Sequence, residues 1–222
     1  MVAACGLALE ARIAAGPRVR SVAGGVDAGR LARELEREVA HGARAIISFG
    51  IAGALAPDLA TGECIVARGV VIPGSFRRCD DAWTARLCAR LPAARYGDLA
   101  GADAPLADAN AKRALYEETL ALAVDTESQV AAEIAHAHGL PFTAFRVIAD
   151  AADRNLPPAA GVALKPGGHV DVAAVLRSLV AKPSQLALLA HTATDAQAAF
   201  AALRRGRRRL GDDLLAFDRD VL

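Results

Sequence analysis

At 222 residues the chain is long enough for one sizeable core and reads most simply as a single domain spanning 1–222. Hydrophobic residues make up 54% but aromatics only 4%, so the core must be aliphatic, and a formal net charge of +1 gives no global field to draw nucleic acid. Cys5, Cys64, Cys79 and Cys88 lack CxxC spacing and read as reduced thiols of a cytoplasmic protein, the histidines form no metal-ligand pattern, and no apolar run of about 18 residues predicts a membrane span.

Met1 leads directly into a short buried strand over 2–5, without a signal-peptide pattern, and Gly6 ends it. A second strand is expected over 18–22, before Gly24 and Gly25. Leu31, Leu35 and Val39 at four-residue spacing predict an amphipathic helix over 26–40, stopped by Gly42. The continuous apolar run 45–49 reads as a central strand covered on both faces, and 65–72 as another, ended by Pro73-Gly74. Helices are expected over 81–91, stopped by Pro92, and over 108–118, with Asp108 as N-cap. A strand over 120–124, a helix over 128–138 carrying Val130 and Ile134 on one face, and a strand over 142–148 follow. The segment 154–168, with three prolines and three glycines, reads as a loop at the rim of a site. From 170 onward the chain reads as helical, with Val172, Val175, Leu176 and Leu179, then Leu186, Leu189, Ala190, Ala193 and Phe200, as its apolar positions. Strands alternating with helices predict an α/β fold: one three-layer domain with a mostly parallel central mixed sheet.

In open α/β sheets ligands sit at the carboxyl ends of strands. Glu127 falls where a strand gives way to a helix, and Asp150 falls just past the next strand, so two carboxylates 23 residues apart can converge on one pocket. Such a pair suits acid catalysis and a grip on hydroxyl groups. Each also has a plainer reading: Asp150 as the cap of the following loop, Glu127 as a first-turn acid favoured by the helix dipole. Asp125 is a third acid nearby, expected to alternate to the other face of its strand. Gly50-Ile51-Ala52-Gly53 reads as a glycine turn that lets a ligand approach the backbone, and Glu10 as an acid opening a helix. The arginines of 204–209 read either as a solvated helix end or as a contact for anionic lipid headgroups.

Four segments in order also carry a resemblance. Val-Asp-Thr-Glu-Ser at 124–128, Arg146-Val147-Ile148-Ala149-Asp150, the glycine-rich run 48–55 and Thr61-Gly62-Glu63 with the strand after it resemble the nucleoside phosphorylase / methylthioadenosine nucleosidase superfamily. The likeness implies a nucleoside phosphorylase-like fold and cleavage of a purine N-glycosidic bond, without a cofactor, by water or by phosphate as co-substrate. It implies that Asp150 protonates the purine, that Glu127 holds the ribose, and that Glu10 activates the attacking water. Gly50, Ile51, Ala52 and Gly53 would line the substrate, and the backbone of Asp103, Ala104 and Pro105 would hold the adenine edge. Thr126 stands where relatives often carry a Met under the ribose, and Ile51 where they often carry a hydroxyl that helps hold phosphate or water.

Residues 152–159, 175–179, the arginine-rich end and the opening 6–12 are similar to the hopanoid-associated phosphorylase branch. That branch implies adenosylhopane, a triterpenoid lipid nucleoside, as substrate, with adenine released, peripheral contact with the anionic inner membrane surface, and a homodimer or higher homo-oligomer. The competing readings are a soluble methylthioadenosine/adenosylhomocysteine nucleosidase or purine nucleoside phosphorylase, and a nucleoside-binding module without catalysis.

Overall fold

Apolar side chains alternate along the segments 46–54 and 142–150, and the two sets pack on opposite faces of one sheet. The computed structural model describes residues 1–25, 27–157, 168–169, 171, 177–178, 181–182 and 186–216. Its elements in chain order are β1 (Val2–Cys5), α1 (Ala8–Ala14), β2 (Arg20–Ala23), α2 (Ala28–Ala40), β3 (Ile46–Ala54), β4 (Cys64–Ile72), β5 (Ser75–Arg78), α3 (Asp81–Arg90), β6 (Arg95–Gly101), α4 (Ala109–Thr119), β7 (Ala123–Asp125), α5 (Ser128–Ala137), β8 (Phe142–Asp150) and α6 (Leu186–Leu210).

The sheet runs β2-β1-β3-β7-β6-β4-β5, with β8 paired to both β3 and β4. Five of these pairings are parallel, and β3–β7, β4–β5 and β4–β8 are antiparallel, so the sheet is mixed and mostly parallel. Because β8 bridges β3 and β4, the pairings β3–β7–β6–β4–β8 close a ring, which leaves β2 and β5 as the free edges. On one face Ile46, Phe142, Ala144 and Ile148 meet Leu31 and Leu35 of α2 and Ala131, Ala132 and Ala135 of α5. On the other, Ile47, Phe49, Phe145 and Val147 meet Ala14 of α1, Trp83 and Leu87 of α3, and Ala199, Ala202 and Leu203 of α6. This is the expected three-layer arrangement, and alternation along the strands produces it.

Asp108 caps α4 as expected, accepting from Ala111 N at 2.9 Å, and Asp27 and Asp80 do the same for α2 and α3. Three features differ from the sequence reading. The segment 50–53 is no turn: β3 continues through it to Ala54, because β8 pairs along its whole length and β7 joins at Gly53. Strands β5 and β6 were not expected; Gly97, Asp98 and Gly101 weaken the strand signal of β6, whose pairing to β4 and β7 decides the matter. In α6 the buried stripe is Ala199, Ala202, Leu203 and Leu210, not Leu186, Ala190 and Ala193, which are exposed. Small residues decide that contact: a Cβ on Gly206 would lie 2.6 Å from the Phe145 ring, so only glycine lets α6 approach β8 so closely. The expected apolar positions Val172, Val175, Leu176 and Leu179, and most of the loop 154–168, lie outside the described residues.

Candidate active site

Strands β3 and β8 run parallel and end together, with Gly53 opposite Asp150. Beside them β7 ends at Asp125, and α1 begins one turn after β1. These ends surround a cavity of about 330 Å³, within the range of small-molecule sites. Glu10, Ile51, Ala52, Gly53, Asp103, Ala104, Pro105, Thr126, Glu127 and Asp150 all line it. Of the residues singled out from the sequence only Gly50 does not; the space beside it belongs to protein, since a Cβ there would lie 2.5 Å from Glu10 Oε1 and 2.7 Å from Arg146 Nη1.

Three glycines make room for three acids. A Cβ on Gly6 would lie 2.6 Å from Glu127 Oε1, and one on Gly53 3.2 Å from Asp150 Oδ2, as one on Gly50 would meet Glu10. The glycines of the β3 run thus serve the protein's own carboxylates first.

Glu10 lies on α1, fully buried. Its Oε2 accepts from the backbone N–H of Gly6 at 2.8 Å and Leu7 at 2.7 Å, and its Oε1 from that of Ile51 at 2.8 Å. A carboxylate offers about four lone-pair positions, so three backbone donors fix its orientation and leave one on Oε1. Burial raises its pKa, against the lowering effect of the Arg146 guanidinium and these three N–H groups.

Asp125, not Glu127, caps α5. Its Oδ1 accepts from the N–H of Glu127 at 2.9 Å and Ser128 at 2.6 Å, and its Oδ2 from the Ser128 hydroxyl at 2.6 Å. The Glu127 side chain makes no cap bond and turns to the cavity, where Thr126 Oγ1 donates to its Oε1 at 2.5 Å. Burial pushes the Glu127 pKa up to about 7; Arg146 opposes this, and Asp125 and Glu10 add to it. Asp125, the last residue of β7, does not turn away from the site: it lines the cavity, its carboxyl held there by the N–H groups of Glu127 and Ser128 and by Arg146.

Arg146 joins these acids. It projects from the middle of β8 with no exposure, its Nη2 3.0 Å from Asp125 Oδ1 and its Nη1 3.2 Å from Glu127 Oε2. Nη1 also donates to the Ile51 carbonyl, and Nη2 to the Ser48 and Ser128 hydroxyls. Burial tends to lower its pKa, and the three carboxylates outweigh this and raise it. Arg146 was visible in sequence as a cation inside an apolar strand, which must be paired if buried, and its role was not drawn from that.

Asp150 closes the far side. Burial raises its pKa, while the ammonium of Lys112, with which it forms an ion pair, lowers it. No role was read for Lys112 in sequence, because a lysine in the expected helix 108–118 looks solvated. In the structure its side chain is wholly buried.

The charged residues that line the cavity are Glu10, Asp27, Asp103, Asp125, Glu127 and Asp150; among the described residues no Arg, Lys or His lines it. Leu7, Leu31, Leu106, Val124 and Leu156 supply an apolar wall. No group of three or more His, Cys, Asp or Glu among the described residues could hold a metal ion.

The family model described as the phosphorylase superfamily matches residues 13–190. No curated protein matches the chain in sequence. Among solved structures, a 5′-methylthioadenosine/S-adenosylhomocysteine nucleosidase from Streptococcus pneumoniae superposes with a TM-score of 0.68 at 16% identity, covering 98% of this chain and 99% of that one. An S-adenosylhomocysteine nucleosidase from Streptococcus pyogenes gives 0.62 at 23% identity over 68% and 83% of the two chains. The futalosine hydrolase of Helicobacter pylori gives 0.62 at 15% identity over 93% and 95%. At these identities the likeness is one of fold.

Proposed function

We propose that this chain, which belongs to the phosphorylase superfamily, is a nucleosidase that hydrolyses the N-glycosidic bond of an adenine nucleoside bearing an apolar 5′ substituent. The observation that carries the reading is the convergence of Glu10, Glu127 and Asp150 on one cavity, with an apolar wall beside them. Breaking a purine–ribose bond requires a proton for the leaving base, a hold on the ribose hydroxyls as positive charge develops, and a nucleophile on the opposite face. Asp150, with its pKa raised by burial, serves as the donor. Glu127 accepts from the ribose hydroxyls and faces the oxocarbenium-like sugar. Glu10, held by three N–H groups with one lone-pair position open, takes the proton of an attacking water. The backbone of Asp103, Ala104 and Pro105 bounds the base.

Hydrolysis is favoured over phosphorolysis by charge. A phosphate dianion in this cavity would meet six acidic residues and, among the described residues, no lining cation, while the two terminal nitrogens of Arg146 already serve Asp125, Glu127, Ser48 and the Ile51 carbonyl. Ile51 offers no side-chain donor.

The pneumococcal and streptococcal relatives act on methylthioadenosine or adenosylhomocysteine, and the sequence resemblance to the hopanoid branch favours a larger, triterpenoid 5′ group. A cavity of about 330 Å³ is at the small end for ligand sites, so a polycyclic substituent would project through its mouth. Adenine release from adenosylhopane, methylthioadenosine and adenosine, compared at equal concentration, tests the substrate. The highest kcat/KM on adenosylhopane supports the lipid substrate, preference for methylthioadenosine supports the soluble one, and no release from any of the three overturns the reading.

The pH dependence of binding follows from Glu127. Its ionised form accepts from both ribose hydroxyls, and with a pKa of about 7 it becomes fully ionised only above neutrality. A non-cleavable C-nucleoside is therefore expected to bind more tightly as pH rises through about 7, and its 2′-deoxy form to show less of this gain. Isothermal calorimetry between pH 5 and 9 checks it; equal pH slopes for the two ligands would remove Glu127 from the ribose.

Contact with a membrane surface would rest on Arg204, Arg205, Arg208 and Arg209, which are exposed. Arg207 is excluded: it is half-buried and pins α6 to the end of α1, donating to the carbonyls of Ala14 at 2.9 Å and Ala15 at 3.4 Å. No described helix is long and apolar enough to cross a membrane. Changing the four exposed arginines to Gln is expected to reduce sedimentation with anionic vesicles at low salt, at about 1 kcal/mol per charge, and to leave cleavage of a soluble nucleoside unchanged. Equal sedimentation of both proteins would make the arginines a solvated helix end.

A further inference from the structure

Lys112 is the one lysine among the described residues with no exposure, and it sits behind Asp150. It projects from the first turn of α4, and its three ammonium protons are all used: on Asp150, on the Ala151 carbonyl at 3.0 Å and on the Arg154 carbonyl at 3.0 Å. The same end of α4 is tied to the segment after β8 by two further bonds, Ala109 N to Asn155 Oδ1 at 2.7 Å and Leu156 N to the Ala107 carbonyl at 2.8 Å. Two carbonyls and a loop can be held by neutral donors. Burying a full ammonium there costs desolvation that an opposite charge repays, and the side chain facing the cavity supplies that charge whenever Asp150 is ionised.

We propose that Lys112 is a positioning residue for the reaction: it holds the Asp150 carboxyl against Gly53 with one edge to the cavity, and its ammonium stabilises the carboxylate that forms when Asp150 gives up its proton. This rests on the reading of Asp150 as proton donor. In the step itself the C1′–N9 bond breaks, its electron pair moves into the purine, the proton passes from Asp150 to the purine nitrogen, and Asp150 becomes a carboxylate, while a water oxygen bonds to C1′ and gives its proton to Glu10. Lys112 remains an ammonium throughout.

The charged groups that face Asp150 are Lys112 from α4 and Asp195 from α6, with Glu10, Asp125, Glu127, Asp103 and Asp27 around the cavity. Lys112 lowers the Asp150 pKa, whereas burial and Asp195 raise it. Lys112 therefore makes Asp150 a stronger acid, at the cost of a smaller protonated fraction at high pH. Without it, Asp150 keeps its proton to higher pH but donates it less readily.

The test is the pH–rate profile of Lys112→Met and Lys112→Arg beside wild type, with circular dichroism and thermal melting as folding controls. In Lys112→Met the alkaline limb of kcat is expected to move up by about one pH unit or more, and the plateau kcat to fall about ten- to a hundredfold. Lys112→Arg, which keeps the charge, is expected to hold the limb near that of wild type. Should Lys112→Met not fold, Lys112→Gln, which still donates to the two carbonyls, takes its place with the same expectation. A folded neutral variant with an unmoved limb overturns the proposal, as does an arginine variant that shifts as far as the neutral one. Asp150→Asn separates the two layers: if it is inactive while the limb in Lys112→Met stays put, Lys112 alone is misassigned, whereas an active Asp150→Asn removes the reading beneath.

Discussion

Asp150→Asn is expected to lower kcat by about 10²- to 10⁴-fold, or about 3–5 kcal/mol in the barrier, while nucleoside binding changes little. Asn keeps the size of the side chain and a group able to hydrogen-bond to Lys112 through its carbonyl. What it lacks is a transferable proton. The loss should therefore fall on the chemical step and appear equally in kcat and kcat/KM. Asp150 is largely buried and faces Gly53 on one side and Lys112 on the other, so the amide has room to occupy the same place. Steady-state kinetics with a direct measurement of Kd for a non-cleavable nucleoside decides the case; an Asn variant with more than half of wild-type kcat would remove Asp150 from the chemistry.

Glu10→Gln is expected to fail in two ways. A carboxylate accepts all three N–H groups of Gly6, Leu7 and Ile51, whereas an amide presents its own NH₂ to at least one of them. Leaving a buried donor unsatisfied costs about 1–3 kcal/mol, so the thermal midpoint should fall. The rate should fall as well, by about 10²- to 10⁴-fold, because the water loses its base. Removing Glu10 also takes away one of three carboxylates grouped around Arg146, and with it one of the influences that raise Glu127. Nucleoside affinity at neutral pH should therefore hold or improve as activity collapses. A stable Gln variant with near-normal turnover would show that water is activated elsewhere.

The layers and the two strand-end acids were legible in sequence for physical reasons that can be named. Leu31 and Leu35 at helical spacing, and the apolar runs leading into Phe49 and Ile148, specify which faces must be buried. Once β3 and β8 are parallel neighbours, their ends have to lie together, and Asp150 comes with them. What escaped depends on side chains whose surroundings arise only from tertiary packing. Lys112 has an ordinary helical neighbourhood in sequence and gains its partner from a strand 38 residues away. Asp125 was expected to face away, but the N–H groups at the start of α5 and the buried Arg146, neither of which strand alternation reveals, draw its carboxyl to the site. Gly50 and Gly53 were read as places where a ligand approaches the backbone; what approaches them in the structure is Glu10 and Arg146 at Gly50 and Asp150 at Gly53. The stripe of α6 was misread because alanine and glycine carry little hydrophobic signal, yet they allow the closest packing on Phe145.

On the proposed reading water, not phosphate, breaks the glycosidic bond in this cavity lined by six acids. The most direct measurement is adenine release by the purified protein in phosphate-free buffer and again with millimolar phosphate, with the sugar product identified by mass. Equal rates in the two buffers and a free sugar in both are the predicted result. Release that requires phosphate and yields the sugar 1-phosphate would contradict it.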